Sequence, residues 1–276
     1  MSNTRYFRDE TSVLDREGED VDLTTILGIL GAITTISIGD LMEGGNPIHV
    51  VHITSLIIIM PTTLLASMVS TDPEYIKGAF KHVGMNFKKS PVNLHERIKE
   101  IVELALMARR DGLLSLEKRV SELDNAFLKQ GLSMAVDGNE IDTIEATLEA
   151  VIEETEEYYH GCAHYWILAG ETSPVLGLVG AVLGLILALQ KLDSPKEMAE
   201  GIAGAFTATV TGIFSAYVLI GPMGNKMKAK AHHIVKEQKL MLEGIIGIVH
   251  GDNPRTLEAK LLNFLSPAEE KHSQFN

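Results

Sequence analysis

Charge falls along this chain in blocks, and the blocks set its architecture. From Thr172 to Gln190 and from Gly201 to Asn225 no residue is charged, and each run is long enough to cross a hydrocarbon core of about 30 Å as a helix. Two earlier runs, Leu23 to Gly39 and Val50 to Thr71, are free of Asp, Glu, Lys and Arg. Gly44, Gly45 and Pro47 supply the turn between them. Pro61 lies in the middle of the second run, where a proline costs about 3 kcal/mol in water but is tolerated in lipid as a kink. The pattern predicts an all-α, polytopic membrane protein. Its spans fall at 22–42, 50–71, 165–190 and 201–225, with links at 43–49 and 191–200. A polar segment, 1–21, precedes them; a helical domain, 72–164, separates the two hairpins, and C-terminal helices follow over 226–276.

Between the hairpins the periodicity becomes that of amphipathic helices in water. Asn93 with Glu96 forms a capping pair, and Leu94, Ile98, Ile101, Val102 and Ala105 give one apolar face up to Gly112. Leu113, Leu116, Val120, Leu123 and Phe127 form the stripe of a second helix, which Gly131 is expected to end. After the Asp137-Gly138 turn a third pattern begins near Asp142 and meets no breaker before Gly161, so it can run on into the third span as one rod. Beyond the fourth span, Lys226, Lys228 and Lys230 mark the interface of a helix reaching about Gly251, and a last helix covers Thr256 to Leu265. Nothing alternates with the period of a strand.

Twenty-two of the 24 Lys and Arg lie before the first span, between the second and third, or after the fourth; only Lys191 and Lys196 lie in the two short links. The positive-inside rule therefore puts both termini and the middle domain in the cytoplasm. The absence of an A-x-A cleavage pattern in residues 1–20 argues that the first apolar run stays in the protein. A formal charge of −13 and no basic stripe exclude a nucleic-acid role. The single cysteine, Cys162, rules out an internal disulfide and is expected to be buried and inert near a helix start.

The third and fourth runs carry the candidate chemistry. Gly177, Gly180 and Gly184 on one, and Gly204 and Gly212 with Ala208 on the other, recur at spacings that let helix backbones touch. Pro174 and Pro222 each remove a ladder hydrogen bond at matching depth. Asp40 and Glu171 lie near span ends and no carboxylate lies mid-span, so an ion relay would need another chain's carboxylate. Thr209, on a face with Ala205, Gly212 and Ala216, could bond such a carboxylate or its own helix backbone. Arg109, Arg110, Asp111 and Glu117 flank Gly112 and read either as a solvated helix cap or as a docking patch. His160 and His164 with Glu157 make a poor metal set. His49 and His52 are expected at the outer interface, and His232 and His233 on a wet face. No nucleophile elbow, P-loop or zinc-protease signature points to an enzyme, and no cofactor is expected.

ARRDGLLSLE (Ala108 to Glu117), ETSPVLGLVGAVLGL from Glu171, and FTATVTG from Phe206 with its downstream Gly-Pro together resemble the MotA/PomA family, the A subunits of the bacterial flagellar stator. The resemblance covers nearly the whole chain from about Val21, with residues 1–20 as an extension. It implies a homopentamer in the inner membrane around two single-span MotB-like B subunits whose membrane aspartate carries the ion. It further implies rotor contact with FliG through Arg109 and Glu117, and coupling through Pro174, Pro222 and Thr209. Val175 replaces a threonine seen in near relatives, and Ala181 stands where sodium-type members carry threonine; the loss of an oxygen ligand points to protons. ExbB/TolQ-type motors share the glycine-rich pair but lack the first hairpin and the ARRDG loop. A solute transporter would be expected to show repeated halves with broken helices, and no such repeat is present.

Overall fold

The computed structural model describes residues 21–45, 53–88, 93–267 and 269–275. The expectations for residues 1–20, Pro47, His49 and His52 lie outside these. Among the described residues the chain is helical, apart from one isolated antiparallel bridge between Val21 and Lys88. The helices are α1 (Leu23–Met42), α2 (Ile53–Val69), α3 (Pro73–Lys81), α4 (Leu94–Asp111), α5 (Glu117–Ser121), α6 (Ala126–Val136), α7 (Ile141–Leu189), α8 (Pro195–Phe214), α9 (Gly221–His250) and α10 (Pro254–Leu261). The chain divides into two compact units. Among described residues, one holds 21–45, 53–88 and 158–229 and the other 93–157, 230–267 and 269–275.

In the first unit α1, α7 and the run from α8 into α9 are long and apolar enough to cross a membrane; α2 is apolar and shorter, at 17 residues. Asp22 caps α1 by accepting from the Thr24 amide at 3.1 Å. The helix runs three residues past the end of the uncharged run at Gly39, to Met42, and closes before Gly44 at φ 82°. None of its residues is buried in the single chain. α2 keeps Pro61 within its length and packs on α8. The indole of Trp166 donates to the Ala79 carbonyl at 3.1 Å and the Tyr165 hydroxyl to that of Leu64 at 3.2 Å, fixing α7 to α3 and α2.

The second unit is a water-type core. Asn93 caps α4, accepting from the Glu96 amide at 3.4 Å, and Ile101, Val102 and Leu104 of its buried face meet Phe127, Leu128 and Leu132 of α6 and Leu240 and Ile245 of α9. The expected second helix is instead three pieces: a 3-10 turn Leu113–Leu116, α5, and α6 with its own cap at Asn125, which accepts from the Leu128 amide at 2.9 Å. Gly131 does not end it. Gly131 lies inside α6, where a Cβ would stand 2.5 Å from Ile245 Cδ1 and 2.8 Å from Leu148 Cδ1, so its missing side chain serves packing and not termination. The last helix also stops early, α10 giving way to a 3-10 turn at Leu262–Phe264. Arg97 pairs with Glu237 at 2.9 Å and with Glu100. Burial alone would lower the Arg97 pKa, but the two carboxylates outweigh it and raise it.

The rod expected from Asp142 is present: α7 runs unbroken for 49 residues through Pro174. Cys162 lies within it, not near its start, and is fully buried; burial, first, pushes its thiol up to about 12. His232 and His233 are exposed on α9, as their spacing predicts.

Candidate functional site

In the membrane unit, α7 and α8 meet along a line of small residues that can be followed contact by contact. A Cβ on Gly184 would lie 3.1 Å from Ala205 Cβ, one on Gly180 3.1 Å from Ala208 Cβ, and one on Gly177 3.0 Å from the Ala208 carbonyl oxygen. At Gly212 a Cβ would lie 2.8 Å from the Ser173 carbonyl oxygen and 2.9 Å from Gly177 Cα. The Ser173 hydroxyl, fully buried, donates to the Gly212 carbonyl at 3.0 Å. Gly177, Gly180, Gly184 and Gly212 are thus on the seam as their spacing predicts. On α8 the ridge is Gly201, Ala205, Ala208 and Gly212; Gly204 is half-buried beside it, and Ala205 takes the place expected of it against Gly184.

The seam continues beyond the two uncharged glycine ridges. Between α8 and α9 six residues, Ser215–Ile220, form a π-helical turn, and the Gly221 amide donates back to the Ala216 carbonyl. A Cβ on Gly170 would lie 2.8 Å from Gly221 Cα, and one on Gly224 2.8 Å from the Ala163 carbonyl oxygen. The two prolines bracket this close approach. Pro174 cannot donate to the carbonyl of Gly170, nor Pro222 to that of Val218, and a ladder missing a donor is a known site for a bulged turn. The sequence places the prolines at matching depth; the π turn and the Gly170–Gly221 contact are what the structure adds.

Thr209 is half-buried on α8, and its hydroxyl donates to the Ala205 carbonyl at 3.4 Å. Its neighbours Thr207 and Thr211 bond their own carbonyls, Ala203 and Thr207, at 2.7 Å. The hydroxyl of Thr209 is the loosest of the three. Ala181 is buried, whereas Val175 is 62% exposed on the opposite side of α7 from the seam. Asp40 lies in the last turn of α1, half-buried, with its Oδ2 unpartnered. Glu171 is exposed.

In the other unit, the charged loop follows from the end of α4. Gly112 takes φ 84°, a conformation that L side chains rarely adopt, and its amide closes α4 on the Ala108 carbonyl. Arg110 forks onto Asp111, with Nη2–Oδ2 at 2.7 Å; the Arg110 side chain is 77% exposed. The hydrogen bond from Arg110, first, lowers the Asp111 pKa, and the same bond raises that of Arg110. Arg109 in the last turn of α4 and Glu117 in the first of α5 are also exposed, and neither forms an ion pair among the described residues.

A sequence profile of the MotA/TolQ/ExbB proton channel family matches residues 119–239. Motility protein A of Helicobacter pylori is 56% identical over 255 residues, 92% of this chain and 99% of that protein. The chain belongs to the motility protein A family. The Bacillus subtilis motility protein A is 36% identical over 91% of this chain and 93% of its own, and the chemotaxis protein PomA of Vibrio alginolyticus 27% over 89% and 96%. Of solved structures, C. jejuni MotAB superposes with a TM-score of 0.89 at 54% identity, covering 92% of this chain and 100% of that one. The flagellar MotAB stator complex from Bacillus subtilis superposes at 0.82 and 36% identity, covering 89% and 96%.

Proposed function

We infer that this chain is the A subunit of a flagellar motor stator, which with a MotB-like B subunit forms a proton channel and converts proton flow into torque on the rotor. The full-length likeness to MotAB at 54% identity carries this reading. The Lys and Arg distribution supports four spans with both termini cytoplasmic, and a stator role assigns the protein to the inner membrane.

The finer mechanism rests on the chain's own residues. No carboxylate of this chain stands mid-span, so the ion-binding aspartate belongs to the partner, and a homopentamer of A subunits walls it in. Val175, Leu178, Val182 and Phe206 leave large apolar faces exposed on the single chain, and faces of this size call for lipid or neighbouring subunits. Thr209 offers the partner aspartate a hydroxyl that its own helix holds weakly, and Ala181 and Val175 add no oxygen that would favour sodium. Protonation removes the charge that an apolar wall tolerates poorly, so each proton step changes which A subunit the aspartate prefers. Pro174 and Pro222, beside the π turn, supply the hinge and the free carbonyls through which that step is passed to the cytoplasmic helices.

At the rotor end, Arg109 and Glu117 carry charges that no partner among the described residues consumes, which suits repeated electrostatic docking on a charged surface of FliG. Arg110 and Asp111 neutralise each other and shape the loop. Coexpression with the B subunit of the same motor tests the reading: the two should co-purify and restore swimming to cells lacking the native pair. A chain that inserts and pentamerises yet never associates with a B subunit would overturn it.

A further inference from the structure

The second unit keeps its large apolar side chains covered, with two exceptions. Among its described residues only Leu106, 45% exposed, and Leu114, 73% exposed, are left open; the other exposed side chains of this kind lie in the membrane unit. Single exposed leucines are ordinary on a protein surface. These two instead flank Gly112, in the segment that carries Arg109 and Glu117.

The geometry of the loop puts Leu114 outside. In a 3-10 turn residues three apart eclipse, so Leu113, packed on the core, and Leu116, fully buried, take the inner side of the turn Leu113–Leu116 and leave Leu114 turned away. The Gly112 carbonyl accepts from the Ser115 amide at 3.1 Å and from the Ser115 hydroxyl at 2.6 Å, and the turn packs back on α4. Leu114 is thus held out on a fixed support, and a partner that covers it has little chain to order. Leu106, three and four residues before Arg109 and Arg110, shares their face of α4. With them and Met107 it lines a cavity of about 410 Å³.

We propose that Leu114 is an apolar anchor of the rotor contact: it enters an apolar slot on the rotor protein, an apolar side chain of that protein occupies the cavity at Leu106, and Arg109 and Glu117 stand on the rim. The proposal rests on the rotor reading given above and adds what charge alone does not supply. At cellular ionic strength exposed charges act over about 8 Å, and they steer and align a contact more than they hold it. The hold comes from an apolar centre that polar groups shield from water. The partner surface is then defined by its chemistry, an apolar slot with a carboxylate placed for Arg109 and a cation for Glu117. A second copy of this chain is a poor occupant. Permanent subunit interfaces bury about 2,000 Å² or more and are largely apolar, whereas two leucines beside exposed charges make a contact small enough to be formed and released.

The test uses the intact complex with its B subunit in nanodiscs, with binding to purified FliG of the same motor measured at low and at high salt. Leu114→Ser should weaken binding about tenfold at both salts, the scale of an exposed leucine becoming buried, and Leu114→Met should restore most of it. Arg109→Glu should weaken binding strongly at low salt and less at high salt, because only an effect of charge is screened. Since Leu114 is exposed, Leu114→Ser should leave Tm and assembly unchanged. Wild-type binding by Leu114→Ser while Arg109→Glu still fails, or a Leu114→Ser defect that disappears at high salt, would overturn the apolar anchor and leave the rotor reading standing. A wild type that never binds FliG would remove both. Should Leu114→Ser fail to assemble, a benzophenone side chain at Leu114 in running motors decides. Crosslinks to FliG support the proposal, and crosslinks only to a neighbouring A chain show that the subunits cover this leucine themselves and overturn it.

Discussion

Thr209 and its two neighbours differ by one measurable quantity, the length of the bond each hydroxyl makes to its own helix. At 3.4 Å for Thr209 against 2.7 Å for Thr207 and Thr211, only Thr209 gives up little by turning to another acceptor. Thr209→Val should slow rotation without stopping it, since a hydrogen bond in a membrane interior is worth about 0.6 kcal/mol on average, roughly threefold in a rate. Thr211→Val, which removes a bond made within the helix, should leave swimming speed unchanged; bead assays on single motors compare the two, and equal effects would remove Thr209 from the mechanism. The charged loop divides in the same way. Arg109→Glu and Glu117→Lys should abolish torque while assembly persists, and opposite reversals on the rotor should partly restore it, whereas Arg110→Ala should cost much less because its charge is spent on Asp111. If Arg109→Glu merely lowers the amount of protein in the membrane, the loop is a helix cap and no more.

Among elements, the pair α7 and α8 depends on residues that have no side chain to lose. Gly177→Leu forces atoms into a space where even a Cβ would stand 3.0 Å from the Ala208 carbonyl oxygen, and should break the oligomer on a native gel while membrane insertion continues. In the cytoplasmic helices, Gly131→Leu should cost about 1–3 kcal/mol by overpacking against Ile245 and Leu148, visible as a lowered Tm. Arg97→Ala, which strands a largely buried Glu237, should cost roughly 2 kcal/mol. These positions also show what could be read from the sequence. The seam was legible at Gly177, Gly180, Gly184 and Gly212 because small residues at helical spacing have one physical meaning in an uncharged run. Gly131 was not, because an isolated glycine in a helical pattern can end the helix or admit a neighbour, and only the position of Ile245, more than a hundred residues later, decides. The π turn at Ser215–Ile220 changes the hydrogen-bond ladder without changing composition. Gly170 keeps the seven-residue spacing of Gly177 and Gly184 but sits outside the uncharged run, and its partner Gly221 lies beyond the π turn, out of step with the ridge of α8. At the charged loop the four residues were legible, but which of them are already paired was not.

At the scale of the whole molecule, each chain is half of a machine. Its large apolar faces lie exposed on the single chain, and no Asp or Glu stands in the middle of its uncharged runs. Proton flux in vesicles loaded with a pH-sensitive dye therefore tests the account most directly, with three preparations compared at equal protein: this chain alone, its complex with an unplugged B subunit, and the same complex with the B-subunit membrane aspartate changed to asparagine. The account predicts flux from the second and none from the first or third. Flux through this chain alone, or through the complex with asparagine, would contradict it.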